Sequence, residues 1–182
     1  MKNQNNRREF TFHLILAGLT AAFYVILTIF SAFFNIAYGS IQFRLSEALC
    51  ILPAFFPSAV AGLTIGCIIS NFFSPMMVLD VVFGSLATLA AALLGRALRN
   101  IRFKGIPWLL PLPAVIINAI AVGLEITLFM EGSAGFWITA AQVAVGQAVC
   151  CYGLGLPLYV CLEKLGLMKL VQKHSKWGGN IK

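Results

Sequence analysis

Residues 41–73, IQFRLSEALCILPAFFPSAVAGLTIGCIISNFF, decide the fold. A bilayer crossing takes about 20 apolar residues. This stretch is too long for one comfortable crossing, and Pro53 and Pro57 interrupt it. Each proline lacks an amide hydrogen, and its ring clashes with the preceding turn, so a helix breaks there. The stretch reads either as one kinked span or as two short helices, about 42–56 and 57–73, joined by a tight turn at Pro53-Ala-Phe-Phe-Pro57.

The rest of the chain decides between these. Of 182 residues, 60% are hydrophobic and 10% charged, with a mean hydropathy of +0.90. No soluble domain of this size normally carries such a surface, so the chain reads as a polytopic membrane protein. Four further apolar stretches stand out at about 10–32, 79–98, 107–130 and 136–162, followed by a tail over 163–182. The first is too long for a cleaved signal peptide. The net charge of +7 falls in short clusters beside apolar runs, without the basic stripe or aromatic interleaving that a nucleic-acid partner requires. Those clusters are Lys2/Arg7/Arg8, Arg96/Arg99/Arg102/Lys104 and Lys164/Lys169/Lys173/Lys176, and the positive-inside rule places all three in the cytoplasm. An even number of crossings must then separate them. A single span through 41–73 gives an odd number before Arg96, whereas splitting it at the prolines gives an even one. The expectation is an all-α integral membrane protein, a single membrane domain of six transmembrane helices, with both termini cytoplasmic.

On this map twelve of the thirteen Lys and Arg lie on the cytoplasmic side with Arg44 the exception, and Glu47, Asp80, Glu125 and Glu131 fall in the outer half. Glu131, in a Glu-Gly-Ser loop, reads as solvated. Glu47, Asp80 and Glu125 come from distant sequence yet reach a similar depth, and intramembrane carboxylates are costly unless a cavity or partner receives them. Asn71 ends the third helix at that level, Asn118 shares a helical face with Glu125 seven residues on, and Gln142 lies in the outer part of the sixth helix. Together they resemble the lining of an outward-facing pocket. The plainer account of Asn and Gln is that they glue helices together, and Asp80 also suits a helix N-terminus. Arg44 and Glu47, three apart, either pair on one helix face or divide the work, Arg44 at the rim and Glu47 pointing in.

Small residues form a second pattern. Ala17 and Ala21, doubled by Gly18 and Ala22, give small-xxx-small spacing that lets another helix approach closely, whether within the bundle or from outside. Asp80, Gly84, Ala87 and Ala91 share one stripe, and Gln142, Gly146 and Gly153 another, both read as bundle interior. Five cysteines lie in apolar stretches without CxxC spacing, so metal and disulfide readings are weak. His13 and His174 fall at the cytoplasmic edges. No HExxH, GxSxG or Walker A motif occurs, so neither an enzyme activity, a cofactor nor a nucleotide site is expected.

Six short helices, a basic cytoplasmic face, no ATPase motif and Ala17-x-x-x-Ala21 resemble the substrate-binding S component of an energy-coupling factor (ECF) transporter. The strings over 41–73 and LDVVFGSLATLAAALL over 79–94 are similar to the QueT family of S components, assigned to queuosine precursors. The resemblance implies that Ala17 and Ala21 dock on a membrane-embedded coupling subunit driven by two cytoplasmic ATPases. It implies that the bundle topples in a prokaryotic cytoplasmic membrane to deliver its ligand. It also implies capture of 7-aminomethyl-7-deazaguanine, or its cyano relative, under the loops at 33–41 and 74–78. The residues suit that ligand. A guanine-like edge offers adjacent donors that one carboxylate accepts in bidentate fashion, and an aminomethyl cation needs another. Glu47 and Glu125 are the first candidates for these tasks and Asp80 the next. Asn71, Asn118 and Gln142 complete the base edge, Arg44 closes the rim, and Tyr38, Phe43 or Phe72 stacks on the ring. Competing readings are an S component for another vitamin-like ligand, a small membrane enzyme acting on lipid, and a scaffold subunit without a ligand.

Overall fold

The computed structural model describes residues 2–38, 41–130 and 133–174. Gly39 and Ser40 of the expected 33–41 loop, Glu131 and Gly132, and residues 175–182 of the expected tail lie outside the described residues. Helix α1 runs Lys2–Phe33. A 3-10 helix, Leu45–Ala54, follows, then α2 (Ser58–Asn71), α3 (Met77–Leu98), α4 (Leu112–Phe129) and α5 (Phe136–Lys164). A last short helix, α6, covers Leu167–His174. Among the described residues the remaining regular pairing is a single bridge between Phe103 and Ile106. Helices α1, α3, α4 and α5 are each long and apolar enough to cross a membrane, and the 3-10 helix and α2 are shorter and apolar.

The proline break falls as the sequence reading has it. Pro53 lies inside the 3-10 helix, and the chain turns through Phe55 and Phe56 before α2 starts after Pro57. The reading of 42–56 as an α-helix is corrected: Arg44 is in extended backbone (φ −86°, ψ 107°), and the ten residues after it wind as a 3-10 helix. Helix α1 also begins earlier than residue 10, and part of the expected tail is the helix α6.

Glycines set the close approaches. A Cβ on Gly62 would lie 2.6 Å from the Ala17 carbonyl oxygen, and one on Gly66 would lie 2.7 Å from Tyr24 Cβ, so α1 and α2 pack almost backbone to backbone. Gly146 sits directly against the Gln42 backbone, and Gly155 lies against Ala48, which lets the 3-10 helix nest on α5. Two long helices carry π turns, Asp80–Gly84 in α3 and Val149–Gly155 in α5. Such single wide turns often re-aim side chains at functional sites.

The bundle has two chemically distinct ends. At one, Phe55, Phe56, Leu110, Tyr159 and Val171 form a core cluster, Arg96 Nη1 donates to the Pro53 carbonyl at 2.8 Å, and Arg102 pairs with Glu163 at 3.3 Å. Arg96 and Arg102 therefore lie at this end, with Lys164 one residue beyond Glu163. The opposite end holds the C-terminus of α1, where Asn35 adopts φ 60° and Ile36 N–H bonds back to the Ser31 carbonyl at 3.1 Å, the αL capping pattern that Asn tolerates. Apolar rows on the outside, such as Leu19, Phe23, Ile26 and Phe30 of α1, are exposed, which suits a surface facing lipid.

Candidate ligand-binding site

A cavity of about 200 Å³ opens at the end opposite Arg96 and Arg102, between the segment after α1, the α2–α3 connection and α4. Asp80 and Glu125 line it, with Tyr38, Gln42, Ser74 and Met130. Asp80 opens the π turn of α3, and its carboxylate accepts from the Ser74 hydroxyl. Its backbone carbonyl accepts from Asn71 Nδ2 at 2.7 Å. Gly84 permits this, because a Cβ there would lie 2.8 Å from the same Asn71 nitrogen. Glu125 is 4% exposed, and its carboxyl group meets no partner but the neighbouring Asp80 carboxyl. Gln42 Oε1 is buried without a partner. Buried polar atoms are nearly always satisfied, and two adjacent acids lining one cavity have the chemistry to accept from a cationic donor.

Arg44 and Glu47 do not pair. Arg44 is buried; its Nε donates to the Ala37 carbonyl at 3.0 Å, its Nη1 to Asn71 Oδ1 at 3.3 Å, and its guanidinium stacks 4.8 Å from the Tyr38 ring centroid. The remaining nitrogen, Nη2, has no partner. The arginine therefore ties the segment after α1 to the end of α2, and Tyr38 reinforces the tie by donating to the Ser70 carbonyl at 3.1 Å. The i, i+3 expectation fails because it assumed α geometry, whereas Arg44 precedes the helix in extended backbone.

Glu47 points into the bundle instead. Tyr24 donates to its Oε1 at 2.7 Å, Asn118 Nδ2 to its Oε2 at 3.4 Å, and the void beside it measures only about 10 Å³, room for one water at most. Glu47 and Asn118 thus close on each other, separate from the 200 Å³ cavity. Asn71 lies between the two regions as a hub for Arg44 and Asp80. Gln142 is half-buried and lines neither space, nor does half-buried Phe43; Phe72 is 56% exposed on the outer surface. Of the aromatic candidates, Tyr38 alone lines the cavity. Sequence reasoning missed Tyr24, Gln42 and Ser74. Tyr24 had a signal, since it lies three residues after Ala21 on the same inward face.

Ala21 is buried and Ala17 half-buried against α2, whereas Gly18 and Ala22 are exposed. The two interleaved small pairs of α1 therefore point in different directions. Among the described residues no group of three or more His, Cys, Asp or Glu side chains is placed to hold a metal ion.

The chain is thus an apolar helical bundle with an acid-lined cavity at the end away from Arg96 and Arg102. The family model for the QueT transporter matches residues 14–164, and the chain belongs to that family. It is a multi-pass membrane protein. Over 98 residues it is 42% identical to a Lactococcus lactis subsp. cremoris (strain MG1363) protein named queuosine precursor transporter QueT, a match covering 54% of this chain and 57% of that relative's length. No solved structure matches.

Proposed function

We propose that this chain is the substrate-binding S component of an ECF-type importer and that it captures 7-aminomethyl-7-deazaguanine, or a close relative, in the 200 Å³ cavity. The carrying observation is Glu125, buried in that cavity with no donor but the adjacent Asp80 carboxyl, so that two acids face one space without a cation. The cavity is smaller than the 300–1,000 Å³ of drug-sized sites, which suits a bicyclic base bearing one short arm. A carboxylate accepts two adjacent donors of a guanine-like edge, and a second acid holds an ammonium, each charge-assisted contact being stronger than a neutral one. Asp80 and Glu125 take these roles, ahead of Glu47, whose acceptors are engaged by Tyr24 and Asn118. Tyr38 offers a ring to stack upon, and Gln42 a free carbonyl oxygen. The name of the Lactococcus lactis relative supports this substrate class.

The wider mechanism follows from the same reading. Six crossings place both termini and the basic end in the cytoplasm, so the cavity faces outward in a single membrane domain. The outward side of α1, where Gly18 and Ala22 are exposed next to the inward Ala17 and Ala21, docks on a membrane-embedded coupling subunit driven by two cytoplasmic ATPases, and toppling delivers the ligand. A panel of deazaguanines and common vitamins, read by thermal shift of the purified protein, tests the assignment. Stabilisation by 7-aminomethyl-7-deazaguanine above guanine, thiamine and riboflavin is the expected result; stabilisation by one of the vitamins alone would replace the ligand and leave the S-component role standing.

A further inference from the structure

A second recess lies at the basic end, on the lipid-facing side. It measures about 630 Å³ and runs between α5 and the connection from α3 to α4. Its α5 wall is a helical stripe, with Tyr152 at one end, Leu156 and Val160 between, and Lys164 at the other. Trp108 forms the opposite wall. From Tyr152 to Lys164 the helix rises about 18 Å at 1.5 Å per residue. That is close to half of a roughly 30 Å hydrocarbon core, so the recess has the length of one leaflet and lies along a helix that crosses it.

The charge at its mouth is fixed. Lys164 is exposed and forms no ion pair among the described residues, because the neighbouring Glu163 is taken by Arg102 at 3.3 Å. Lys169 and Lys173 are exposed on α6 just beyond, and that helix is held to the bundle by buried Val171. An apolar slot one leaflet deep, with an unpaired ammonium at its water end and an indole beside it, has the chemistry of a lipid site. Basic pockets on the cytoplasmic side of helical bundles select anionic headgroups, and Trp prefers the interface. We infer that this recess binds one anionic phospholipid, an acyl chain lying along α5 from Tyr152 to Val160 and the phosphate held by Lys164.

The test uses the full chain with Trp137→Phe and Trp177→Phe, which leaves Trp108 as the reporter, reconstituted in phosphatidylcholine vesicles holding a minor fraction of phosphatidylglycerol. Bromine is placed on the acyl chains of one lipid at a time. Brominated phosphatidylglycerol is expected to quench Trp108 several-fold beyond its mole fraction. Lys164→Gln should lower that preference about five-fold, the effect of one basic residue at an anionic surface, while Lys169→Gln leaves it. Equal quenching by the two lipids at equal mole fraction overturns the site, as does a preference that Lys164→Gln spares or that Lys169→Gln lowers as much. A Trp108 shielded from both lipids would mean that protein covers the recess, and it overturns the inference too.

Discussion

At the residue scale the three acids separate into two kinds. Glu47 is satisfied by Tyr24 and Asn118 and has almost no free space; Glu125 has space and no partner but the Asp80 carboxyl. Tyr24→Phe leaves a buried carboxylate oxygen without its donor, an effect of about 1–3 kcal/mol. Thermal unfolding in detergent should show that loss, with deazaguanine affinity reduced less than tenfold. Equal stability of Tyr24→Phe and the wild type would show that Glu47 does not depend on this hydrogen bond. That Asp80 and Glu125, distant in sequence, reach a similar depth was legible in the sequence, and the structure brings both to one cavity. Which of the three acids has no partner but another acid was not, because that depends on the rotation of α1 and α4 about their axes, and no local pattern encodes it.

The elements explain why the opening stretch misled in one respect. Pro53 and Pro57 announced the break between two short helices, and the break is there. Leu45–Ala54 winds as a 3-10 helix with Gly155 of α5 against Ala48 and Gly146 against the Gln42 backbone just before it, and Arg44 reaches Asn71 instead of Glu47. The π turn of α3 is the matching device on the other wall of the cavity. Gly84→Ala would drive a Cβ toward the Asn71 amide at 2.8 Å and displace the hub that joins Arg44 to Asp80. Overpacking of this kind costs about 1–3 kcal/mol, and ligand affinity should fall with stability; unchanged affinity would detach the π turn from the site. On α1, the two small-residue pairs looked equivalent because both have the right spacing. Gly66→Val should lower thermal stability markedly, since a Cβ there meets Tyr24, whereas Gly18→Val, with nothing within 4 Å, should not. Similar stability of the two variants would contradict the packing of α1 on α2.

For the whole molecule, the separation of a basic end from an acid-lined end is the feature that composition and charge foretold most directly. On the proposed six-crossing map, parity puts the basic end in the cytoplasm and the acid-lined end outside. In a cysteine-free background, Asn100→Cys should react with an impermeant maleimide only from the cytoplasmic side and Ser133→Cys only from outside; labelling of both from one side would remove the six-crossing map. The remaining claim is that the acid-lined cavity receives a cationic base, and calorimetric titration of the purified protein with 7-aminomethyl-7-deazaguanine tests it most directly. The account predicts saturable binding at one site and, for Glu125→Gln, a loss of at least about 1.5 kcal/mol, roughly tenfold in affinity, with the unfolding temperature kept. Wild-type affinity in Glu125→Gln would contradict it.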